Sequence, residues 1–252
     1  MNIQNKVAIV TGGCSGLGLA TAIMLSEQGA HVHVFDIQEK SEALERLHTV
    51  TYHQVDVTNE EHVRKAIDAI IIADKALHIC INCAGIAPAA KVYGKSGVMS
   101  LDLFKKTIEI NLIGTFNVLR LAIEKMVLNE AIDSQDKGII INTASIAAFE
   151  GQIGQAAYAA SKGGVASLAL PLARDLAREN IRVNTIAPGL FETPMMAGMP
   201  EKALKSLQNM PEYPKRLGLP EDYAFTVKYL IESTYVNAEC IRLDAATRLP
   251  AK

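Results

Sequence analysis

Length, composition and charge exclude several classes of protein. The chain has 252 residues, of which 49% are hydrophobic and 21% charged, so it is globular rather than disordered. Its 25 basic and 27 acidic residues leave a net charge of −2, which provides no electrostatic footprint for nucleic acid. We therefore expect no nucleic-acid partner. No apolar stretch reaches the roughly 18 residues of a membrane span, so we also expect no membrane segment.

The start of the chain has no apolar signal-peptide core, which favours an intracellular protein. We expect a cytoplasmic location, with the mitochondrial matrix as the alternative in a eukaryote.

Short apolar, β-branched runs alternate with segments of helical periodicity along the chain. The predicted strands are Val7–Thr11, His31–Phe35, Thr51–Val55, His78–Asn82, Gly138–Asn142, Ile181–Ile186 and Glu239–Leu243. The predicted helices are Gly16–Gln28, Glu60–Ala73, Leu101–Asn129 and Tyr158–Glu179, and Pro171 should kink the last. This alternation is typical of βαβ units. It predicts a single doubly wound α/β domain of the Rossmann type over residues 1–252, with a seven-stranded parallel sheet.

A glycine-rich turn follows the first predicted strand and opens the first predicted helix. Its sequence, TGGCSGLG, permits a tight turn and lets a pyrophosphate approach backbone N–H groups at a helix N-terminus. We expect dinucleotide binding here, with a purely structural turn as the alternative. The expected contacts are Gly12, Ser15, Gly16, Leu17 and Gly18.

An acidic residue, Asp36, ends the second predicted strand 18 residues after Gly18. This is close to the offset at which a carboxylate binds the adenosine ribose hydroxyls. A carboxylate there repels a 2′-phosphate, so we expect NAD rather than NADP as the cofactor. The alternative is an Asp that only caps a helix.

Tyr158 and Lys162 lie four residues apart at the start of a predicted helix, so their side chains share one face. A lysine ammonium there would lower the pKa of the phenol, which could then pass a proton to a carbonyl oxygen. Ser145 closes the fifth predicted strand and could hydrogen-bond that oxygen. A hydrolase triad is excluded, because every histidine lies at or before residue 78 and no G-x-S-x-G surrounds Ser145.

Two patterns raise the question of a metal site. Cys80 and Cys83 form a C-x-x-C, but on a strand they point to opposite faces and we interpret them as reduced core thiols. His31 and His33 share one face of a strand, but no third ligand is evident. We therefore expect no metal.

The segment 188–214 interrupts the alternation. It holds five of the nine prolines and four of the eight methionines. Proline excludes long regular elements, and methionine adapts to irregular apolar partners. We expect an apolar lid over a substrate, with a short helix over Glu201–Asn209, and the alternative is a surface excursion.

Taken in order, the motifs resemble those of the short-chain dehydrogenase/reductase family over essentially the whole chain. TGGCSGLG is similar to TGxxxGxG, and Asn82-Cys83-Ala84-Gly85 is similar to NNAG, with Cys83 in place of the second Asn. Further matches are Asp56-Val57, Pro188-Gly189, Thr193 and the catalytic set Asn111, Ser145, Tyr158 and Lys162.

This resemblance implies roles for these residues. Tyr158 would be the general acid and base, and Ser145 would orient the carbonyl group. Lys162 would bind the nicotinamide ribose and lower the pKa of Tyr158. Asn111 would hold a water that links Lys162 to solvent, with stabilisation of a helix kink as the alternative. The remaining matches would contact NAD: Asp56, Val57, Asn82, Ala84, Gly85, Pro188, Gly189 and Thr193.

The resemblance is greatest to members that interconvert 3-hydroxyacyl-CoA and 3-oxoacyl-CoA, so an acyl-CoA is the expected substrate. Alternatives are a steroid or other secondary-alcohol dehydrogenase, a 3-oxoacyl carrier-protein reductase, and an NAD-binding scaffold. The resemblance also implies a homotetramer formed through the two long helices. Five lysines flank the expected mouth and could meet the coenzyme A phosphates or be solvated surface: Lys91, Lys95, Lys202, Lys205 and Lys215.

Overall fold

The computed structural model describes residues 1–95, 97–131, 136–197 and 207–251. The strands are β1 (Val7–Thr11), β2 (His31–Asp36), β3 (Val50–Gln54), β4 (Ile79–Asn82), β5 (Tyr93–Gly94), β6 (Gly97–Val98), β7 (Gly138–Thr143), β8 (Ile181–Pro188) and β9 (Cys240–Leu243). The α-helices are α1 (Gly16–Glu27), α2 (Glu42–Glu45), α3 (Glu60–Asp74), α4 (Leu101–Ile108), α5 (Thr115–Met126), α6 (Ala156–Ser167), α7 (Ala169–Asp175), α8 (Pro194–Ala197) and α9 (Pro220–Glu232).

Seven of the described strands form one parallel sheet in the order β3-β2-β1-β4-β7-β8-β9. The chain starts at β1 in the middle of the sheet and adds β2 and β3 on one side. It then crosses from β3 to β4 on the other side of β1, so the strand order reverses between β1 and β4. In such sheets ligands bind beyond the carboxyl ends of the strands at this reversal. The predicted doubly wound α/β fold with a seven-stranded parallel sheet is confirmed.

The central strands are buried on both faces, which explains their continuous apolar sequences. Along β1, Ala8 and Val10 belong to one core cluster and Val7 and Ile9 to the other. The first cluster lies beneath α1 and α9, and the second beneath α3 and α5. The sheet is therefore the middle layer of three, and its edge at the carboxyl ends of the strands stays accessible.

The two long predicted helices are each interrupted. In the first, a π-helical turn over Glu109–Gly114 separates α4 from α5. A Cβ at Gly114 would lie 2.7 Å from Cγ2 of Val57, so the helix turns here with its backbone against the neighbouring loop. In the second, α6 ends at Ser167, and Pro171 lies in the first turn of α7. Proline lacks the N–H that would bond to the carbonyl four residues earlier, which is that of Ser167.

Helix α9 and the short antiparallel hairpin of β5 and β6 were not predicted from the sequence. The start of α9 carries recognisable signals. Pro220 occupies the first helical turn, and the Asp222 carboxylate accepts a hydrogen bond from the backbone N–H of Leu219 at 2.8 Å. For the predicted helix Glu201–Asn209, residues 201–206 lie outside the described part of the chain, and 207–208 are helical.

Three alanines around β9 adopt the left-handed backbone conformation. Ala238 has φ 68°, Ala245 has φ 48° and Ala246 has φ 60°. Hydrogen bonds hold all three residues. The Ala238 N–H donates to the Val183 carbonyl at 2.9 Å, the Ala245 carbonyl accepts from the Glu212 N–H at 2.9 Å, and the Ala246 N–H donates to Oδ1 of Asp244 at 3.1 Å. The turns at both ends of the last strand are thus fixed by contacts rather than by local preference.

Histidines on β2 and β3 form a hydrogen-bonded chain with Asp74. Nδ1 of His31 lies 2.8 Å and Nε2 of His33 lies 2.9 Å from the two Asp74 carboxylate oxygens. Nδ1 of His33 lies 2.9 Å from Nε2 of His53. The histidine pair His31 and His33 thus has an acidic partner, Asp74, which was not evident from the sequence. Within the described residues, no group of three or more His, Cys, Asp or Glu side chains has the arrangement of a metal site.

The two cysteines of the C-x-x-C sequence lie on opposite sides of the sheet. Cys80 belongs to the core beneath α3 and α5, and Cys83 packs against the core beneath α1 and α9. Both are free thiols. Among the described residues, no helix combines the length and the apolar character needed to span a membrane.

Partly buried histidines make the stability of the fold depend on pH. Burial lowers the pKa of His78 and of His53 from 6.5 to about 4. Nδ1 of His78 accepts a hydrogen bond from the Val7 N–H at 3.2 Å, which requires the unprotonated nitrogen. In the unfolded chain these imidazoles bind protons below their ordinary pKa, whereas in the folded chain they do not until about pH 4. Acid therefore favours the unfolded state.

We expect the free energy of unfolding to fall as the pH is lowered from about 6.5 towards 4. The variant His78→Asn keeps an acceptor but cannot titrate, so its loss of stability over this range should be shallower. Urea unfolding at several pH values measures both slopes. The exposed His62 provides the control His62→Asn, which should follow the wild-type slope. Parallel curves for His78→Asn and the wild type would contradict the role of this imidazole.

Candidate active site

A cavity of about 720 Å³ lies at the carboxyl ends of the central strands. It reaches from Asp36 at the end of β2 and Asp56 after β3 to Ser145 and Tyr158 after β7. Sixteen of the eighteen residues predicted for the site line it: Gly12, Ser15, Gly16, Leu17, Gly18, Asp36, Asp56, Val57, Ala84, Gly85, Ser145, Tyr158, Lys162, Pro188, Gly189 and Thr193. The parallel sheet thus brings together residues that are up to 181 positions apart in the sequence.

The glycine-rich turn packs too tightly for side chains. A Cβ at Gly12 would lie 2.9 Å from the backbone of Ala84, and one at Gly18 would lie 2.2 Å from the carbonyl oxygen of Gly12. Ser15 caps α1 without a hydrogen bond from its side chain, and the first turn of the helix has no acidic residue. The N-terminal N–H groups of α1 and the Ser15 hydroxyl therefore suit an anion such as a pyrophosphate.

The two acidic residues of the cavity have well-defined hydrogen bonds. Asp36 is buried, and its carboxylate oxygens accept from the backbone N–H groups of Cys14 and Gln38, each at 3.0 Å. This fixes the carboxylate between the glycine-rich turn and the loop after β2. Oδ1 of Asp56 accepts from the backbone N–H of Thr58 at 2.9 Å and from its hydroxyl at 2.7 Å. Both carboxylates can accept further hydrogen bonds from a ligand.

Asn82 and Asn111, the remaining two predicted residues, do not line the cavity. Asn82 is buried behind it, where its amide donates to Oδ1 of Asn142 at 2.9 Å. It therefore links β4 to β7 and does not form part of the described cavity wall. Successive side chains of a strand point to opposite faces, so the residue at its end points either towards the cleft or away from it. The motif alone does not show which.

Asn111 lies in the π-helical turn and fastens it to the loop after β4. Its Oδ1 accepts from the Ile86 N–H at 2.8 Å, and its Nδ2 donates to the Ile86 carbonyl at 2.9 Å and to the Ser161 hydroxyl at 3.0 Å. A Cβ at Gly85 would meet Asn111 Oδ1 at 3.1 Å and Lys162 Nζ at 3.5 Å. The contacts match the alternative in which Asn111 stabilises a kinked helix, and the water-holding role stays a prediction.

Three polar side chains meet at the end of β7. Lys162 is buried on α6, and its Nζ donates to the carbonyl of Thr143 at 2.7 Å. The same Nζ lies 5.9 Å from the centroid of the Tyr158 ring. The Ser145 hydroxyl accepts from the Ala147 N–H at 3.1 Å and lines the cavity with Tyr158. A hydroxyl, a phenol and an ammonium group thus share one end of the cavity.

Burial dominates the ionisation of these groups. It raises the pKa of Tyr158, and the neighbouring Ser145 hydroxyl acts in the opposite direction. The upward direction is the reverse of the lowering that the sequence predicted from Lys162. Burial also lowers the pKa of Lys162 to about 8, so this side chain is a cation at neutral pH. A protonated phenol near a buried cation can donate a proton to a developing negative charge on oxygen.

Several cavity residues were not predicted from the sequence, because they belong to no motif. Gln152 and Gln155 come from the loop between β7 and α6, and Leu249 comes from the segment after β9. Only tertiary contacts bring these two regions together. Of the lysines predicted at the mouth, Lys91, Lys95 and Lys215 do not line the cavity. Lys106, which was not predicted, does. Lys202 and Lys205 lie outside the described residues.

Comparison with known proteins agrees with this geometry. The family model for short chain dehydrogenases matches residues 6–204. The chain belongs to the short-chain dehydrogenase family. It is 46% identical to the 3-hydroxyacyl-CoA dehydrogenase type-2 of Bos taurus, with 98% of this chain and 97% of that protein covered. It is 45% identical to the protein of the same name from Drosophila melanogaster, with 98% and 99% covered.

A solved structure also matches closely. The crystal structure of 3-hydroxyacyl-CoA dehydrogenase type-2 from Mycobacterium avium superimposes with a TM-score of 0.92 at 38% identity, with 98% of each chain covered. The chain is therefore an oxidoreductase of the short-chain dehydrogenase family, with a small-molecule substrate. The glycine-rich turn, the two carboxylates and the phenol lie along one cavity, in an arrangement that fits the nicotinamide dinucleotide this family uses.

We expect Asn111→Leu to lower the free energy of unfolding by about 1–3 kcal/mol, because both backbone groups of Ile86 lose their partner. The same change should weaken NADH binding, since the loop that Asn111 holds lines the cavity. Urea unfolding and titration of NADH fluorescence measure the two effects. The control Ser161→Ala removes only one of the three hydrogen bonds of Asn111 and should cost less. Equal losses in the two variants would contradict the fastening role.

Proposed function

We propose that the protein interconverts 3-hydroxyacyl-CoA and 3-oxoacyl-CoA with NAD as the hydride carrier. The observation that carries this proposal is one continuous cavity with a dinucleotide-binding turn at one end and Ser145, Tyr158 and Lys162 at the other. The substrate class is supported by the full-length similarity to proteins named 3-hydroxyacyl-CoA dehydrogenase type-2.

In the direction of reduction, bound NADH supplies the hydride that the substrate carbonyl carbon accepts. The protein supplies position and a proton. The Ser145 hydroxyl hydrogen-bonds the carbonyl oxygen, and the Tyr158 hydroxyl donates its proton to that oxygen as the C–O bond becomes single. The Lys162 cation stabilises the phenolate that remains, and Tyr158 then regains a proton from solvent. In the direction of oxidation, Tyr158 accepts the proton of the hydroxyl group.

Asp36 supports a preference for NAD over NADP. Its carboxylate is buried at the adenosine end and held by two backbone N–H groups, so it cannot swing away from a ligand without losing both bonds. Among the described lining residues, the cationic side chains are Lys106 and Lys162, and the latter is bonded at the other end of the cavity. A 2′-phosphate would meet an uncompensated negative charge.

The substrate end has apolar walls that suit an acyl chain. Phe191, Met195, Met196 and Leu207 belong to the segment 188–214 and line the cavity. They support the proposal that the described parts of this segment, 188–197 and 207–214, cover the substrate as a lid. Methionine side chains adapt to acyl chains of different shape.

We also propose a homotetramer assembled through the α4–α5 and α6–α7 helices. Ile113, Phe116 and Leu170 on these elements are large apolar residues that are exposed in the isolated chain, which supports burial against another copy. A monomer in sedimentation equilibrium would contradict this. The free thiols of all four cysteines support a reducing compartment, the cytoplasm or the mitochondrial matrix.

The decisive test follows NADH oxidation at 340 nm with acetoacetyl-CoA. We expect turnover by the wild type and a kcat about 10²–10⁴-fold lower for Tyr158→Phe, because only the proton donor is removed. NADH binding should persist in the variant. The control Tyr229→Phe alters a phenol on α9 outside the cavity lining and should leave the rate unchanged.

Absence of turnover in the wild type, with NADH still bound, would overturn the acyl-CoA proposal. The substrate would then be sought among steroids and other secondary alcohols, or the protein would be an NAD-binding scaffold. Full activity of Tyr158→Phe would overturn the assignment of this residue as the proton donor.

We expect Asp36→Asn to reduce the preference for NADH over NADPH by at least about tenfold, mainly through a lower KM for NADPH. The amide has nearly the shape of the carboxylate and keeps an acceptor, but it carries no charge to repel a 2′-phosphate. Steady-state kinetics with both cofactors give the ratio. The exposed Glu39 offers the control Glu39→Gln, and an equal effect of the two changes would show that general surface charge, not Asp36, sets the preference.

A further inference from the structure

The last described residues, 247–251, fold back onto the loop that separates Ser145 from Tyr158. The Leu249 N–H donates to Oε2 of Glu150 at 2.9 Å. Nε2 of Gln152 donates to the Pro250 carbonyl at 3.1 Å, and the Ile153 N–H donates to the Ala251 carbonyl at 3.0 Å. We call residues 247–251 the C-terminal segment. It is attached to the part of the loop that faces the reaction end of the cavity.

Glu150 is the centre of this attachment. Its carboxylate accepts two hydrogen bonds from Arg242 of β9, at 2.7 and 3.2 Å, and lies 3.4 Å from Nε of Arg248. The Arg242 side chain also donates to the Thr247 carbonyl at 3.1 Å and stacks on Phe149, with its Cζ 5.6 Å from the ring centroid. The side chains of Glu150 and Arg242 are 21% and 24% exposed, so solvent screens the pair only partly. One carboxylate therefore joins the last strand, the loop and the C-terminal segment.

The C-terminal segment contributes a side chain to the cavity. Leu249 lines it together with Gln152 and Gln155 of the attached loop. Gln152 and Gln155 lie on the loop between Ser145 and Tyr158, to which the C-terminal segment is bonded, whereas Asp36, Asp56 and the glycine-rich turn form the cofactor end. Leu249 is thus placed to form part of the apolar wall at the substrate end of the cavity, away from the adenosine half of the cofactor.

We propose that Leu249 is a specificity-determining residue for the acyl chain and that Glu150 is the positioning residue that holds it in the cavity wall. The inference rests on the proposed function and names the part of the chain that limits substrate size. A smaller residue at 249 widens the substrate end, and a larger residue narrows it. Neither change touches a residue that contacts the cofactor end or donates a proton.

The specificity test compares acetoacetyl-CoA with 3-oxooctanoyl-CoA in the wild type, Leu249→Ala and Leu249→Trp. We expect the ratio of kcat/KM for the long over the short substrate to rise about tenfold in Leu249→Ala and to fall about tenfold in Leu249→Trp, the size of effect that a few methylene groups have in an apolar pocket. The KM for NADH should stay constant in both variants. Opposite shifts with a constant NADH KM are not expected from a general loss of structure.

The positioning test uses Glu150→Gln, which keeps the shape of the side chain and removes its charge. We expect hydrogen exchange of the Leu249 and Ile153 amides to become at least about tenfold faster, because a charge-assisted hydrogen bond is roughly twice as strong as a neutral one. The KM for the acyl-CoA should rise while the KM for NADH does not. The control Glu124→Gln removes a carboxylate that pairs with Arg64 and Lys125 outside the cavity, and it should leave both amides unchanged.

The two parts of the proposal and the proposed function have separate outcomes. An unchanged substrate ratio in both Leu249 variants, with an active wild type, overturns the specificity role alone. Unchanged amide exchange in Glu150→Gln overturns the positioning role, whether or not the enzyme acts on acyl-CoA. A wild type that binds NADH but reduces neither thioester overturns the proposed function and, with it, the acyl specificity of Leu249.

Discussion

Parallel pairing obliges the carboxyl ends of all seven strands of the main sheet to lie along one edge, and the site depends on this constraint. The glycine-rich turn follows β1, Asp36 ends β2, Asp56 follows β3, and Ser145 follows β7. No local contact would bring these residues together, because they lie on different crossovers. The central strands have continuous apolar sequences and are buried on both faces. Because their side chains pack in the core, each strand has a fixed register relative to the next. The stability of the central sheet is therefore what positions the chemistry.

Burial also sets the electrostatics of the reaction end. Lys162 enters the cavity from α6 and bonds to the carbonyl of Thr143, so the cation is held by the backbone of the strand that leads to Ser145. Desolvation lowers the pKa of Lys162 from 10.5 to about 8 and raises that of Tyr158 above 10.0, so the phenol holds its proton more tightly than the ammonium group does. The π-helical turn that carries Asn111 keeps the loop after β4 beside this cation. Helix α6, the end of β7 and the π-helical turn, which are distant in sequence, thus share one small polar region next to the apolar core.

The sequence was most informative where local chemistry decides the structure. Strand positions, the turn before α1 and the pairing of Tyr158 with Lys162 on one helical face follow from residue type and spacing, so they were predictable. The breaks in the long helices depend on close contacts such as Gly114 against Val57, which spacing does not show. Asn82 belongs to the recognised motif yet faces its neighbour strand, and Leu249 belongs to no motif yet lines the cavity. Both depend on how distant elements pack, which one sequence does not specify.

The left-handed alanines around β9 have a consequence for how this chain can change. An alanine in this conformation is less stable than a glycine by roughly 1 kcal/mol, because its Cβ crowds the backbone. Every alanine codon becomes a glycine codon by a single nucleotide change, so Ala238 and Ala245 each lie one step from a less strained turn. A β-branched residue at either position would increase the backbone strain and lower the stability of the turn. A change from alanine to glycine at either end of β9 would therefore raise the stability of the protein, and this gain would offset destabilising substitutions acquired elsewhere.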